Sequence, residues 1–178
     1  MTSTLPNRSL RRATVAVYVV FILAGFAFAS WASRIPQVRD ALELSPRGLG
    51  LVLLAIALGS VVSMPLAGVV VSRLGAARTV AIMAVVAAVG MVTAAVGYRV
   101  GVVPVVVGLF LLGVGNGTWD VAMNVEGAEV EQRLGRAIMP RFHAGFSVGT
   151  VGGAAVGVAL VALGVSARAH LLVVAGIV

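Results

Sequence analysis

Hydrophobic residues in this chain fall into long unbroken runs, not into alternating or one-sided patterns. Between charged positions lie apolar runs at 13–33, 48–72, 79–98, 100–119 and 142–167, with a shorter one at 169–178. An α-helix needs about 20 apolar residues to cross roughly 30 Å of hydrocarbon. Five runs are therefore long enough to span a membrane, and the sixth has about half the length. The pattern predicts helices over 14–33, 47–71, 79–97, 102–124, 142–163 and 168–178, the last of them incomplete, after a polar, basic tail at 1–12. Transmembrane barrels are built from short alternating segments, whereas these runs are apolar on every face, so a helical bundle is the way to satisfy the backbone in lipid. The expected fold class is all-α: a polytopic transmembrane bundle over 13–178, with no separate soluble domain. The first run is too long for a cleaved signal segment and lacks a small-residue cleavage site, so it is read as a retained helix.

Composition sharpens this. Only 11% of residues are charged, against roughly 25% in soluble domains. All thirteen basic residues are arginine and the net charge is +7, but the arginines sit at the ends of the apolar runs, where topology signals belong. That makes the lipid bilayer the partner and argues against nucleic acid. With a cytoplasmic N-terminus, eight arginines (8, 11, 12, 73, 78, 133, 136, 141) fall inside and five (34, 39, 47, 99, 168) outside, so the bias favours N-in. The absence of cysteine removes disulfides, thiol catalysis and sulfur metal ligands. No cofactor or metal is expected.

One carboxylate interrupts the pattern. Asp120 stands in a run of glycines and apolar residues, with Asn116 and Asn124 four residues to either side. On a 3.6-residue helix these three share a face and make a polar stripe. An acid at mid-span costs about 2.5–3.5 kcal/mol on insertion scales, and such residues usually line an ion or substrate path. Sixteen residues beyond Pro104, Asp120 lies about 24 Å along its helix, towards the cytoplasmic half. Trp119 beside it, and Trp31 and Arg34 at the end of the first span, are the further candidate ligand contacts. Arg34 either snorkels to the interface or reaches the cavity mouth; the first-span aromatics Phe21, Phe26, Phe28 and Trp31 otherwise read as packing or interface anchors. Pro36 is expected to end the first helix, the loop at 34–47 to be a solvated link, and Pro65 to bend the second span.

Two further patterns concern packing. The turn at 68–78, with Gly68, Arg73, Gly75 and Arg78, is so short that spans two and three are expected to be antiparallel neighbours. Gly145, Gly149, Gly153 and Gly157 form a ladder at four-residue spacing, which lets helices approach closely; its partner is expected to be span one or two. The match of residues 145–149 to G-x-S-x-G, with His143 nearby, lacks the strand and turn of a nucleophile elbow. The glycines at 113, 115 and 117 lack the strand of a dinucleotide site and read as helix packing. An enzyme is not expected.

The segment at 68–78 resembles the loop signature of the major facilitator superfamily: Gly68, Arg73, Gly75 and Arg78 match, while Ser72 replaces the usual acid and Ala76 and Ala77 replace polar positions. The segment 119–124 resembles the fourth-helix motif of the fucose, galactose and glucose proton symporters, in which an acid and an asparagine recur; Asp120 and Asn124 match, and the resemblance implies proton and solute binding there. The first-span acid of those symporters has no counterpart, Ala32 standing nearest. The whole passage from residue 125 through 147 also resembles a little-characterised bacterial inner-membrane branch, which implies a cell (inner) membrane. The fifth-span glycines are similar to those of drug/proton antiporters, except that Thr150 replaces the proline. The resemblance implies the N-terminal six-helix half of a twelve-helix secondary transporter with its sixth helix truncated, taking a small polar solute and protons by alternating access. The partner it implies is the missing C-terminal six-helix half. A drug/proton antiporter and a truncated, non-transporting membrane component are the alternatives.

Overall fold

The computed structural model describes residues 8–178. In chain order the helices are α1 (Arg8–Ala32), α2 (Ile35–Ala41), α3 (Pro46–Leu74), α4 (Ala76–Gly97), α5 (Val102–Leu134), α6 (Met139–Ala162) and α7 (Ala167–Ile177). Five segments are long and apolar enough to cross a membrane, and α7 is a shorter apolar helix. The chain is an all-helical, multi-pass membrane bundle.

The boundaries depart from expectation where the sequence is polar. The tail expected at 1–12 lies outside the described residues up to residue 7, but 8–12 already belong to α1. The link at 34–47 contains α2, and Pro36 opens that helix; the break falls earlier, at Ser33 and Arg34. Proline fits a helix's first turn because its missing N–H has no acceptor to lose there. Pro65 sits inside α3 without ending it. Helix α5 continues ten residues past the expected 124, to Leu134. At 1.5 Å per residue its 33 residues reach about 50 Å, well beyond a hydrocarbon core.

Helix α5 is the hub. It packs on α3 and α4 and also meets α1 and α6; α1 pairs with α6, and α7 lies against α4 and α1. The expected neighbours α3 and α4, though joined through Gly75 alone, touch little. Both turn instead to the glycine-rich α5. Gly90 of α4 and Gly108 of α5 face each other, and a methyl on Gly113 would collide with the carbonyl of Ile56 on α3. Without a hydrophobic drive between helices in lipid, such close approach is what association rests on. The partner of the α6 ladder is α1: Gly149 meets Ile22, Gly153 meets Phe26 and Gly157 meets Ser33, in a register that makes the two helices parallel. Outward-facing valines and leucines such as Val61, Leu66, Val85 and Val151 cover the remaining faces.

The α5–α6 turn carries a cap. After Gly135 (φ 63°) closes α5, the Glu131 carboxylate accepts hydrogen bonds from the amides of Ile138 (2.6 Å) and Met139 (2.7 Å), satisfying donors that a helix start leaves free. Glu131→Ala in the full-length protein is expected to lower the thermal midpoint by a few degrees, read by thermal unfolding in detergent; an unchanged midpoint would contradict the capping role.

Candidate functional site

Helix α5 presents Asn116, Trp119, Asp120 and Met123 to an open groove of about 220 Å³, lined on its other sides by α1, α3 and α6. Glycine at 113 and 117 brings α5 onto α3, so Ile56, Ser60 and Met64 lie beside the polar stripe. From the close α1–α6 pair, Phe28 and Phe146 both line the groove. The wall is therefore apolar apart from a few polar groups, the usual composition of a small-molecule site.

Asp120 is exposed to this groove. The amide Nδ2 of Asn124 donates to the backbone carbonyl of Asp120 at 2.8 Å and more weakly to its Oδ1 at 3.4 Å. Among the described residues the ion pairs are Arg39 with Asp40 and Arg133 with Glu129, so no cation neutralises Asp120. His143 of α6 stands edge-on to the Phe21 ring, with ring centres 5.2 Å apart. Trp119 is 3% exposed and its indole N–H has no partner. Ser60 is already engaged: its hydroxyl donates to the carbonyl of Gly113 at 3.0 Å.

Of the residues singled out in the sequence, the groove brings together Asn116, Trp119 and Asp120, with Asn124 bonded behind the acid. Trp31 and Arg34 do not line it. Trp31 is 2% exposed in the core, and Arg34, just past the C-terminal end of α1, is bonded to α7 and the turn before it. Sequence reasoning missed Phe28, Ile56, Met64, Met123 and Phe146 as wall residues, since in a chain apolar on every face nothing separates a groove-lining side chain from a lipid-facing one. The turn residues lie apart: Arg73 ends α3, Gly75 (φ 79°) makes the turn and Arg78 begins α4, while a methyl on Gly68 would meet nothing within 4 Å.

No family model matches the chain, and no solved structure matches it. It is 36% identical over 155 residues to an uncharacterised transporter of Sinorhizobium fredii, a match covering 87% of this chain and 41% of that protein. It is 33% identical over 152 residues to an uncharacterised MFS-type transporter of Yersinia pestis, covering 85% and 39%. The membrane protein MosC of Rhizobium meliloti is 30% identical over 149 residues, covering 83% and 36%. The chain thus spans about two fifths of the length of the curated relatives it matches.

Proposed function

We propose that this chain is the N-terminal half of a major-facilitator secondary transporter, near the proton-symporter and little-characterised inner-membrane branches, whose solute and proton site is the groove on α5. Relatives named as transporters, one of them MFS-type, support the general reading. The observation that carries the mechanism is Asp120: an acid with no ion-pair partner among the described residues, in a run of glycine and apolar residues, opening onto a groove beside Asn116 and Trp119. In this reading the N-terminus is cytoplasmic, and a second six-helix half covers the groove and rocks against this one. Closure removes water from Asp120 and favours its neutral form; opening lets it exchange the proton. Asn116 and the Trp119 N–H orient a small polar solute, Asn124 holds the acid, and the turn with Gly68, Arg73, Gly75 and Arg78 gates the motion.

The test is proton movement. In proteoliposomes holding the full-length protein, adding the transported solute outside is expected to make the outer medium more alkaline as proton and solute enter together. Solute uptake with no accompanying proton flux would refute the coupling. The apolar wall of Phe28, Ile56, Met64 and Phe146 favours one second reading, export of a hydrophobic cation against protons; it predicts the opposite relative direction of solute and proton.

A further inference from the structure

At the opposite end of α1 from Arg8 lies a positive charge without a negative partner. Arg34 is 1% exposed. Its Nε donates to Nδ1 of His170 at 2.9 Å and its Nη1 to the carbonyl of Val165 at 3.0 Å, while Nη2 has no acceptor. No described carboxylate pairs with it, and residues 1–7 contain no acid. Because His170 accepts at Nδ1, its Nε2 carries the hydrogen, and that N–H is buried and unbonded too. So is the indole N–H of Trp31, one turn before Arg34. Nη2 of Arg34 is thus a buried, charged donor that lacks an acceptor. A buried charge left uncompensated is costly.

The surroundings can supply more of the same polarity. Arg34 and Gln37 line a groove of about 360 Å³, walled also by Tyr98, Arg99 and the turn at 164–167. Arg99 is exposed at its rim, with its guanidinium 5.5 Å from the centre of the Tyr98 ring. The same wall includes the start of α7, where Ser166 accepts the amide of Ala169 and the other first-turn amides begin without intrahelical acceptors, at the positive end of the helix dipole. The oxygen of Gln37 is unbonded, and a half-turn of that amide presents its NH₂ instead.

We infer that this groove binds a small phosphate-type oxyanion, with Arg34 as its charge partner, Arg99 at its rim and the first turn of α7 as amide donors. It shares no lining residue with the groove on α5 and is a second site. Its position at one end of the bundle gives two sources for a phosphate: a free anion, or the phosphodiester of a lipid headgroup.

The experiment follows thermal unfolding of the full-length protein in detergent while inorganic phosphate is titrated against sodium chloride at constant ionic strength, and repeats it in nanodiscs with and without phosphatidylglycerol. The midpoint is expected to rise saturably. A rise with phosphate in detergent assigns a free oxyanion, and a rise only with phosphatidylglycerol assigns the headgroup. Arg34→Gln is expected to weaken the response about tenfold or more, the loss of a charge-assisted bond. Arg99→Gln, at the exposed rim, is expected to weaken it severalfold without loss of fold, and it decides the matter if Arg34→Gln does not fold. Asp120→Asn is expected to keep the full response, which separates this site from the one on α5. No midpoint change with either phosphate source, or a response in Arg99→Gln equal to that of the unaltered protein, overturns the inference.

Discussion

Asp120→Asn in the full-length protein is expected to reduce solute accumulation from about fiftyfold to none while leaving solute exchange across the membrane intact. The size follows from what the coupled proton supplies. One charge falling through about 100 mV releases about 2.3 kcal/mol, enough to hold a concentration ratio of about fiftyfold. Asparagine keeps the shape of the side chain and can still meet the Asn124 amide, which donates chiefly to the Asp120 backbone. What it cannot do is bind and release a proton between pH 5 and 8. Exchange requires only that a loaded site alternate between the two sides, so it survives. The measurement pairs gradient-driven uptake with counterflow in the same vesicles. Undiminished accumulation in the variant would remove Asp120 from the coupling; loss of both activities would make it a structural or solute-holding residue instead.

Run lengths alone made the bundle legible, because lipid leaves a continuous apolar segment few options but a helix. The polar ends were not legible to the same degree. Residues 8–12 and 125–134 are charged yet helical, since once a helix has been nucleated each added residue gains a hydrogen bond, and arginines and glutamates are good helix formers. Of the site, Asp120 was visible as the lone acid of its span, and Asn116 and Asn124 followed from the 3.6-residue period. Arg34 and Trp31 were grouped with them only because they end the first span. Axial position decides otherwise: Phe28 is the last α1 residue at the groove, and Arg34 lies about 9 Å further along at 1.5 Å per residue. The contact between α3 and its expected neighbour α4 is slight for a similar reason. A tight turn fixes where two helices start, while the glycines at 108, 113, 115 and 117 make α5 the surface both can approach most closely.

The same glycines carry the second large effect. Gly149→Val in α6 is expected to cut the yield of monodisperse, folded protein in detergent about tenfold or more, whereas Gly68→Ala leaves it unchanged. Any Cβ at Gly149 would collide with the carbonyl oxygen of Ile22, and one at Gly153 with that of Phe26; on the other helix, Gly25 faces the carbonyl of Phe146 in the same way. These obstacles are backbone, held in their own helices, so the clash can be relieved only by moving α1 and α6 apart. A gap of 0.5–1 Å forfeits a quarter to a half of each contact's dispersion energy, and in lipid no hydrophobic gain draws the helices back. Overpacking of this kind costs about 1–3 kcal/mol, and about 1.4 kcal/mol is already tenfold in the ratio of folded to unfolded protein, a large share of a marginal stability. At Gly68 a methyl meets nothing within 4 Å, so folding of the bundle should not register it. If the second half of the transporter closes against that turn, Gly68→Ala should slow transport with folding intact. Equal tolerance of Gly149→Val and Gly68→Ala would show that the α1–α6 approach contributes little to holding the bundle together.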